Sequence, residues 1–157
     1  MSRTKSSSAA VSDLKKHVGF WLRFVSNHVS HAFARRLLAS GVTVAEWVVL
    51  REMYDGDETS PSVLAGRIGM TRGAASKLVD RLVGKELVTR KDRTDDRRFQ
   101  DIALTAAGRC LVPALAALAD RNDEEFFHPL SPEERELLIA TLKKLVHAHK
   151  LHKLPTE

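Results

Sequence analysis

The residues of this chain best suited to chemistry are cations, and they lie close together. From Arg67 to Arg98 there are ten Lys/Arg against five Asp/Glu, so this stretch carries the whole net charge of +5 of the 157-residue chain. Two groups stand out within it. Thr71, Arg72, Gly73, Ser76, Lys77 and Arg81 recur at helical steps, and Arg93, Asp96, Arg97 and Arg98 crowd into the run Arg-Thr-Asp-Asp-Arg-Arg. Guanidinium and ammonium groups among hydroxyls and glycines recognise phosphate oxygens and base edges rather than break bonds. A sequence pI near 9.6 agrees with an anionic partner.

Catalytic patterns are missing. The chain has no phosphate-cradling glycine loop, no nucleophile elbow and no paired carboxylates with a base. No catalytic residue and no cofactor is therefore expected. Cys110, the single cysteine, excludes an intrachain disulfide. With only Arg109 as a charged neighbour it lacks the surroundings of an activated thiol and is expected to be structural. His28 and His31 are i, i+3 neighbours, but no cysteine or carboxylate completes a familiar ligand spacing. No metal site is expected, and the histidines read as helix surface or pocket lining.

The two cationic groups need elements to hold them. Ser60 is a good N-cap with Pro61 at N1, Val63, Leu64 and Ile68 share one face, and Gly69 can end that helix in the left-handed conformation. Thr71 caps a second helix. At 100° per residue, Ala75, Leu78, Val79 and Leu82 gather on one side and Gly73, Ser76, Lys77, Asp80 and Gly84 on the other. After Gly84, Lys85–Asp92 reads as a strand, and Phe99–Thr105 as a second with Ile102 and Leu104 on one face. The charged run from Arg93 to Arg98 is then a hairpin tip beside the helix. Small residues on that helix permit close approach to a major groove, and the tip arginines suit the negative potential of a minor groove. This is a winged helix-turn-helix pattern.

The stretch resembles the MarR family of bacterial transcriptional regulators. The matching residues are Leu78-Val79-Asp80-Arg81-Leu82, Leu87-Val88-Thr89-Arg90, Asp96-Arg97-Arg98, and Leu104-Thr105 with Gly108. The family pattern spans roughly Leu14 to Leu151. The resemblance implies a homodimer whose terminal helices intertwine. It implies that Arg98 enters the minor groove with Asp96 orienting it. It also implies a small-molecule pocket between the dimer helices and the DNA-binding lobe, for which Trp21, His28, His31, Trp47 and Arg51 are the candidate lining, with Tyr54 and Met53 nearby. Such a pocket suits an aromatic or phenolic acid.

The rest of the chain supplies more helices. Leu14, Val18, Trp21, Leu22, Val25, Val29, Phe33 and Leu37 recur at three- and four-residue steps in a first helix that ends near Ser40-Gly41. Its apolar stripe is wider than one domain of this size needs. Thr43 and Glu46 predict a capping box for the next helix, with Trp47, Val48, Leu50 and Met53 inward. Residues 55–60 read as a polar loop. Thr105 caps a helix through Leu111, Leu115 and Leu118, in which Pro113 should introduce a kink. Ser131-Pro132-Glu133-Glu134 opens a last helix with Leu137, Leu138, Leu142, Leu145 and Val146.

The fold expected is mainly α with a small β-wing: six helices, the terminal ones forming a dimer core. Residues 1–11 read as a flexible tail, 12–42 and 105–157 as the dimerisation region, and 43–104 as the DNA-binding lobe. The expected partners are double-stranded DNA, a second copy and a small effector, with no membrane. The expected role is a repressor released from a pseudo-palindromic operator by its ligand. A bacterial cytoplasm is expected, at the nucleoid when bound, since residues 1–10 have no hydrophobic segment. Two alternatives use the same scaffold: a winged-helix module that binds an acidic protein, and a thiol or metal sensor.

Overall fold

The computed structural model describes residues 11–92 and 100–152. A short 3-10 turn, Leu14–Lys16, leads into α1 (Val18–Leu37), and a second, Leu38–Ser40, ends at Gly41 with φ 64°. Then follow α2 (Val44–Tyr54), α3 (Pro61–Arg67), α4 (Arg72–Gly84), β1 (Val88–Asp92), β2 (Gln100–Leu104), α5 (Ala106–Phe126) and α6 (Pro132–Ala148). Six helices and one antiparallel pair of strands are the expected architecture.

The helix starts follow the capping chemistry in the sequence. Thr43–Glu46 and Ser131–Glu134 both form complete capping boxes, and Pro61 and Pro132 open α3 and α6 where no N–H is needed. α5 runs unbroken through Pro113.

The core gathers around α2 and α4. Leu37 of α1, Val49 and Leu50 of α2, Leu64 of α3, Val79 and Leu82 of α4, Ile102 of β2 and Leu115 of α5 are all fully buried. Two expected inward residues face out instead: Val48 is exposed while Val49 is buried, and Val63 is exposed while Leu64 and Ala65 are buried. In α2 the buried set is Glu46, Val49, Leu50 and Met53, spaced i, i+3, i+4, i+7. A polar residue holds the first of those places, so counting apolar residues alone shifts the phase by one. Trp47 is half-buried, edge-on to Phe33 with ring centroids 6.3 Å apart.

The strand boundaries also differ. Lys85 to Leu87 belong to the end of α4, not to β1. Glu86 adopts φ 59°, its N–H bonds to Val83 O and the Leu87 N–H to Leu82 O. This Schellman arrangement has a non-glycine residue at the left-handed position, which propensity argues against. β1 pairs β2 from Val88↔Leu104 to Asp92↔Gln100. The stretch read as a plain polar loop contributes Thr59, which exchanges both backbone hydrogen bonds with Ile102, at 3.0 and 2.8 Å.

The first half of α1 and nearly all of α6 carry apolar side chains into solvent. Val18, Trp21, Leu22 and Val25 are exposed in α1, as are Leu137, Leu138, Ile139, Leu142, Leu145 and Val146 in α6. Between these helices and the α5–α6 corner lies an apolar groove of about 680 Å³, with Trp21, Val25, Phe126, Leu138 and Leu142 in its walls. Continuous apolar faces of this kind mark interaction surfaces.

Candidate nucleic-acid interface

Two helices and a tight turn build the site. Gly69 takes φ 69° and the Met70 N–H reaches back to Ala65 O at 2.9 Å, which ends α3. Two residues later the Thr71 hydroxyl accepts the Ala74 N–H and starts α4. Ala75, Leu78, Val79 and Leu82 fix the buried side of α4. Thr71, Arg72, Gly73, Lys77 and Arg81 are exposed and Ser76 is half-buried, so all six expected recognition residues lie on the outer side of one rigid element. On an ideal wheel Arg72 and Arg81 flank this face about 180° apart, with Gly73, Ser76, Lys77 and Asp80 between them. Such a face can place its flanks on two phosphate backbones and its centre over base edges.

Electrostatics sharpen the picture. The other described cations of this region are already paired: Arg67 with Glu52, Lys85 with Glu46, Arg90 with Asp80 and Lys91 with Glu58. Arg72, Lys77 and Arg81 form no ion pair among the described residues. Asp80 projects from the same face, but Arg90 on β1 neutralises it. Among the described residues of this region, the uncompensated positive charge is thus concentrated on the recognition face itself.

The wing is built at its base. β1 and β2 pair up to Asp92 and Gln100, where the Gln100 amide donates to Asp92 Oδ1 at 2.8 Å. Arg93, Asp96, Arg97 and Arg98 lie outside the described residues.

The base is locked to α5 through the Leu-Thr-x-x-Gly run. Thr105 Oγ1 donates to Glu86 O at 2.7 Å and accepts the Gly108 N–H at 3.0 Å, and the Thr105 N–H bonds to Leu87 O. A Cβ at Gly108 would stand 2.1 Å from Leu87 O, so this close approach requires glycine.

Sequence reasoning missed Glu46 as a buried charge. It is 1 % exposed, and its Oε2 accepts the Thr43 N–H at 2.8 Å and the Lys85 ammonium at 2.7 Å. Burial, the largest single influence, pushes the Glu46 pKa up, but Lys85 and Thr43 together more than offset it and leave it below the ordinary value. The capping box was legible; a partner 39 positions away was not.

The five candidate ligand residues each have their own neighbours among the described residues. Trp21 lines the α1–α6 groove, His28 packs on Phe24 at 4.6 Å, and His31 is exposed. Trp47 packs on Phe33, and Arg51 pairs with Asp55 and sits 6.0 Å from the Tyr54 ring centre. Cys110, expected as a structural residue, is exposed, because the buried side of α5 here is Gly108 and Val112. Among the described residues no three His, Cys, Asp or Glu side chains form a metal-binding group, and no helix is long and apolar enough to cross a membrane.

A helix-turn-helix with an adjacent two-stranded wing and a cationic outer face, unpaired among the described residues, defines the winged helix-turn-helix class of DNA-binding proteins. Comparison with known proteins narrows the class. The model of the MarR family matches residues 40–98. A probable transcriptional regulator of Pseudomonas aeruginosa superposes with a TM-score of 0.79 at 27% identity, covering 85% of this chain and 99% of its own. MepR of S. aureus, solved as a DNA complex, gives 0.77 at 25% identity over 84% of this chain and 98% of its own. BpsR of Bordetella bronchiseptica, whose structure concerns regulation of DNA binding by 6-hydroxynicotinic acid, gives 0.80 at 24% identity over 87% and 97%. The chain is thus similar to the MarR family over residues 40–98 and shares its fold with solved transcriptional regulators over most of its length.

Proposed function

We propose that this protein is a homodimeric repressor that grips a pseudo-palindromic operator and lets go when a small ligand binds. The observation that carries the proposal is the outer face of α4, where Arg72, Lys77 and Arg81 form no ion pair among the described residues while the neighbouring described cations are matched. Lys77 and Ser76 read base edges from the centre, Arg72 and Arg81 hold phosphates from the flanks, and Thr71 and Gly73 allow the N-terminal turn to approach. Arg93, Arg97 and Arg98 serve the adjacent minor groove, with Asp96 orienting Arg98. The solved DNA complex of MepR supports this use of the fold.

Residues 43–104 act as the DNA-binding lobe, and 12–42 with 105–157 form the dimer core. The exposed apolar stripes of α1 and α6 support this division, since a second copy is the natural cover for both. Two recognition helices then meet successive major grooves about 34–36 Å apart. A ligand seated between lobe and core changes that separation, and tenfold release needs only ~1.4 kcal/mol of differential binding. An aromatic or phenolic acid is the ligand class we favour, and the regulation of BpsR by 6-hydroxynicotinic acid supports it. The site of action is the bacterial cytoplasm.

The exposed thiol of Cys110 favours one second reading, a thiol sensor on the same scaffold. Peroxide that releases DNA from the natural chain but not from Cys110→Ser would select it. The primary reading is tested by a gel shift on the DNA upstream of the protein's own coding sequence. We expect specific retardation by a dimer, reversed by an aromatic acid; binding equal to that on random DNA would reject it.

A further inference from the structure

Three consecutive residues fasten the C-terminal end of α4 to both sides of the protein. On one side, Lys85 Nζ donates to Gly41 O and to Glu46 Oε2, each at 2.7 Å. Gly41 is the left-handed residue that ends the turn after α1, and Glu46 lies in the first turn of α2. On the other side, Glu86 O and Leu87 O take the hydroxyl and N–H of Thr105 at the start of α5. The recognition helix is therefore pinned at its last turn to the ends of α1, α2 and α5.

We infer that Lys85 and Glu46 are positioning residues for DNA recognition: their ion pair, together with the Lys85 bond to Gly41 O, is the strut that sets the angle of α4 against α2 and the end of α1. This rests on the DNA-binding reading above.

Lys85 is poorly placed to be a phosphate ligand, because two of its three N–H groups are engaged within the protein. It stands at the far end of α4 from Thr71, where the helix dipole favours a cation, and Glu46 stands where the α2 dipole favours an anion. A carboxylate 1 % exposed is costly to leave unpaired, so it holds the Lys85 ammonium in place although the lysine side chain itself is 38 % exposed. The gap between two recognition helices in a dimer depends on this joint on each side. A loose strut leaves the contacts to DNA intact but blurs their separation.

The test compares the natural chain with Lys85→Met, Glu46→Gln and the double variant. We expect each single variant to lose roughly tenfold in operator affinity, a typical size for coupling between sites. Binding to random DNA and the slope of log affinity against log salt should not change. Operators with one base pair added or removed between half-sites should be penalised less than by the natural chain. The double variant should be no worse than Lys85→Met. Without DNA, spin labels at Ser76→Cys and Arg35→Cys in a Cys110→Ser chain, diluted with unlabelled protein, should show a broader distance distribution once the strut is cut.

A slope reduced by about one unit would make Lys85 a phosphate contact and overturn the inference. So would lower thermal stability with unchanged spacing preference and label distances. If Lys85→Met does not fold, Glu46→Gln, which keeps an amide oxygen for Thr43, carries the same two expectations. A natural chain with no preference for its operator would defeat the DNA-binding reading alone, because the label distances are measured without DNA.

Discussion

Gly108 and Leu87 touch so closely that a single Cβ on the glycine would stand 2.1 Å from the Leu87 carbonyl oxygen. That oxygen also accepts the Thr105 N–H, at 3.1 Å. Neither partner can withdraw without breaking the joint between the wing base and α5. Gly108→Ala should therefore cost about 2 kcal/mol, the scale of a forced overpacking, despite alanine's better helix propensity. Urea denaturation measures it; an unchanged or raised midpoint would show that the joint yields freely.

Removing Ser131 to Glu157 should leave a chain that aggregates or fails to fold. The loss takes away α6, whose apolar side chains line the groove against Trp21 and Val25. If the dimer is the folded unit, stability and association cannot be separated. A soluble, well-folded monomer of the truncated chain in sedimentation would contradict the dimer proposal.

The buried Glu46 predicts an acid dependence. Its folded pKa lies below the ordinary 4.5, so its contribution is complete above that value and fades as pH falls through the folded pKa. The stability difference between the natural chain and Glu46→Gln should be largest near neutral pH and shrink as the pH falls below 4.5 and through the lowered folded pKa. Denaturation midpoints across that range decide it, and a gap that widens in acid would reverse the sign.

Much of this architecture was legible because capping is local chemistry. Ser60-Pro61, Thr71, Thr43–Glu46, Thr105 and Ser131–Glu134 each start a helix as the sequence indicates. The outer face of α4 was legible because its apolar and polar residues separate cleanly. What could not be read depends on distant partners. Val48 and Val63 face outward because Glu46 and Ala65 take the inner places, and Glu46 does so only because Lys85 meets it. Glu86, a glutamate in the left-handed conformation, is held by the Schellman bonds that displaced the expected start of β1. The sequence could not place the candidate ligand residues, since a shared helix stripe does not say which neighbour each side chain will find.

The wing arginine offers a prediction in sign. Arg98→Ala should weaken operator binding and lower the salt slope by about one unit, the loss of one cationic contact. Asp96→Ala removes a negative charge near phosphate, so bulk electrostatics predicts tighter binding. An Asp96 that orients the guanidinium predicts weaker binding, and that is the expected outcome. Tighter binding by Asp96→Ala at moderate salt would leave Arg98 as an unoriented charge.

The claim on which the rest depends is that the outer face of α4 reads DNA sequence. The most direct measurement is the affinity of Lys77→Ala for operator and for random DNA, side by side at one salt concentration. Lys77 is exposed at the centre of the face and unpaired among the described residues, so a base-edge role predicts a loss of ~1–3 kcal/mol on operator and far less on random DNA. An equal loss on both would make Lys77 a phosphate contact, and no loss on either would mean that this face does not meet DNA.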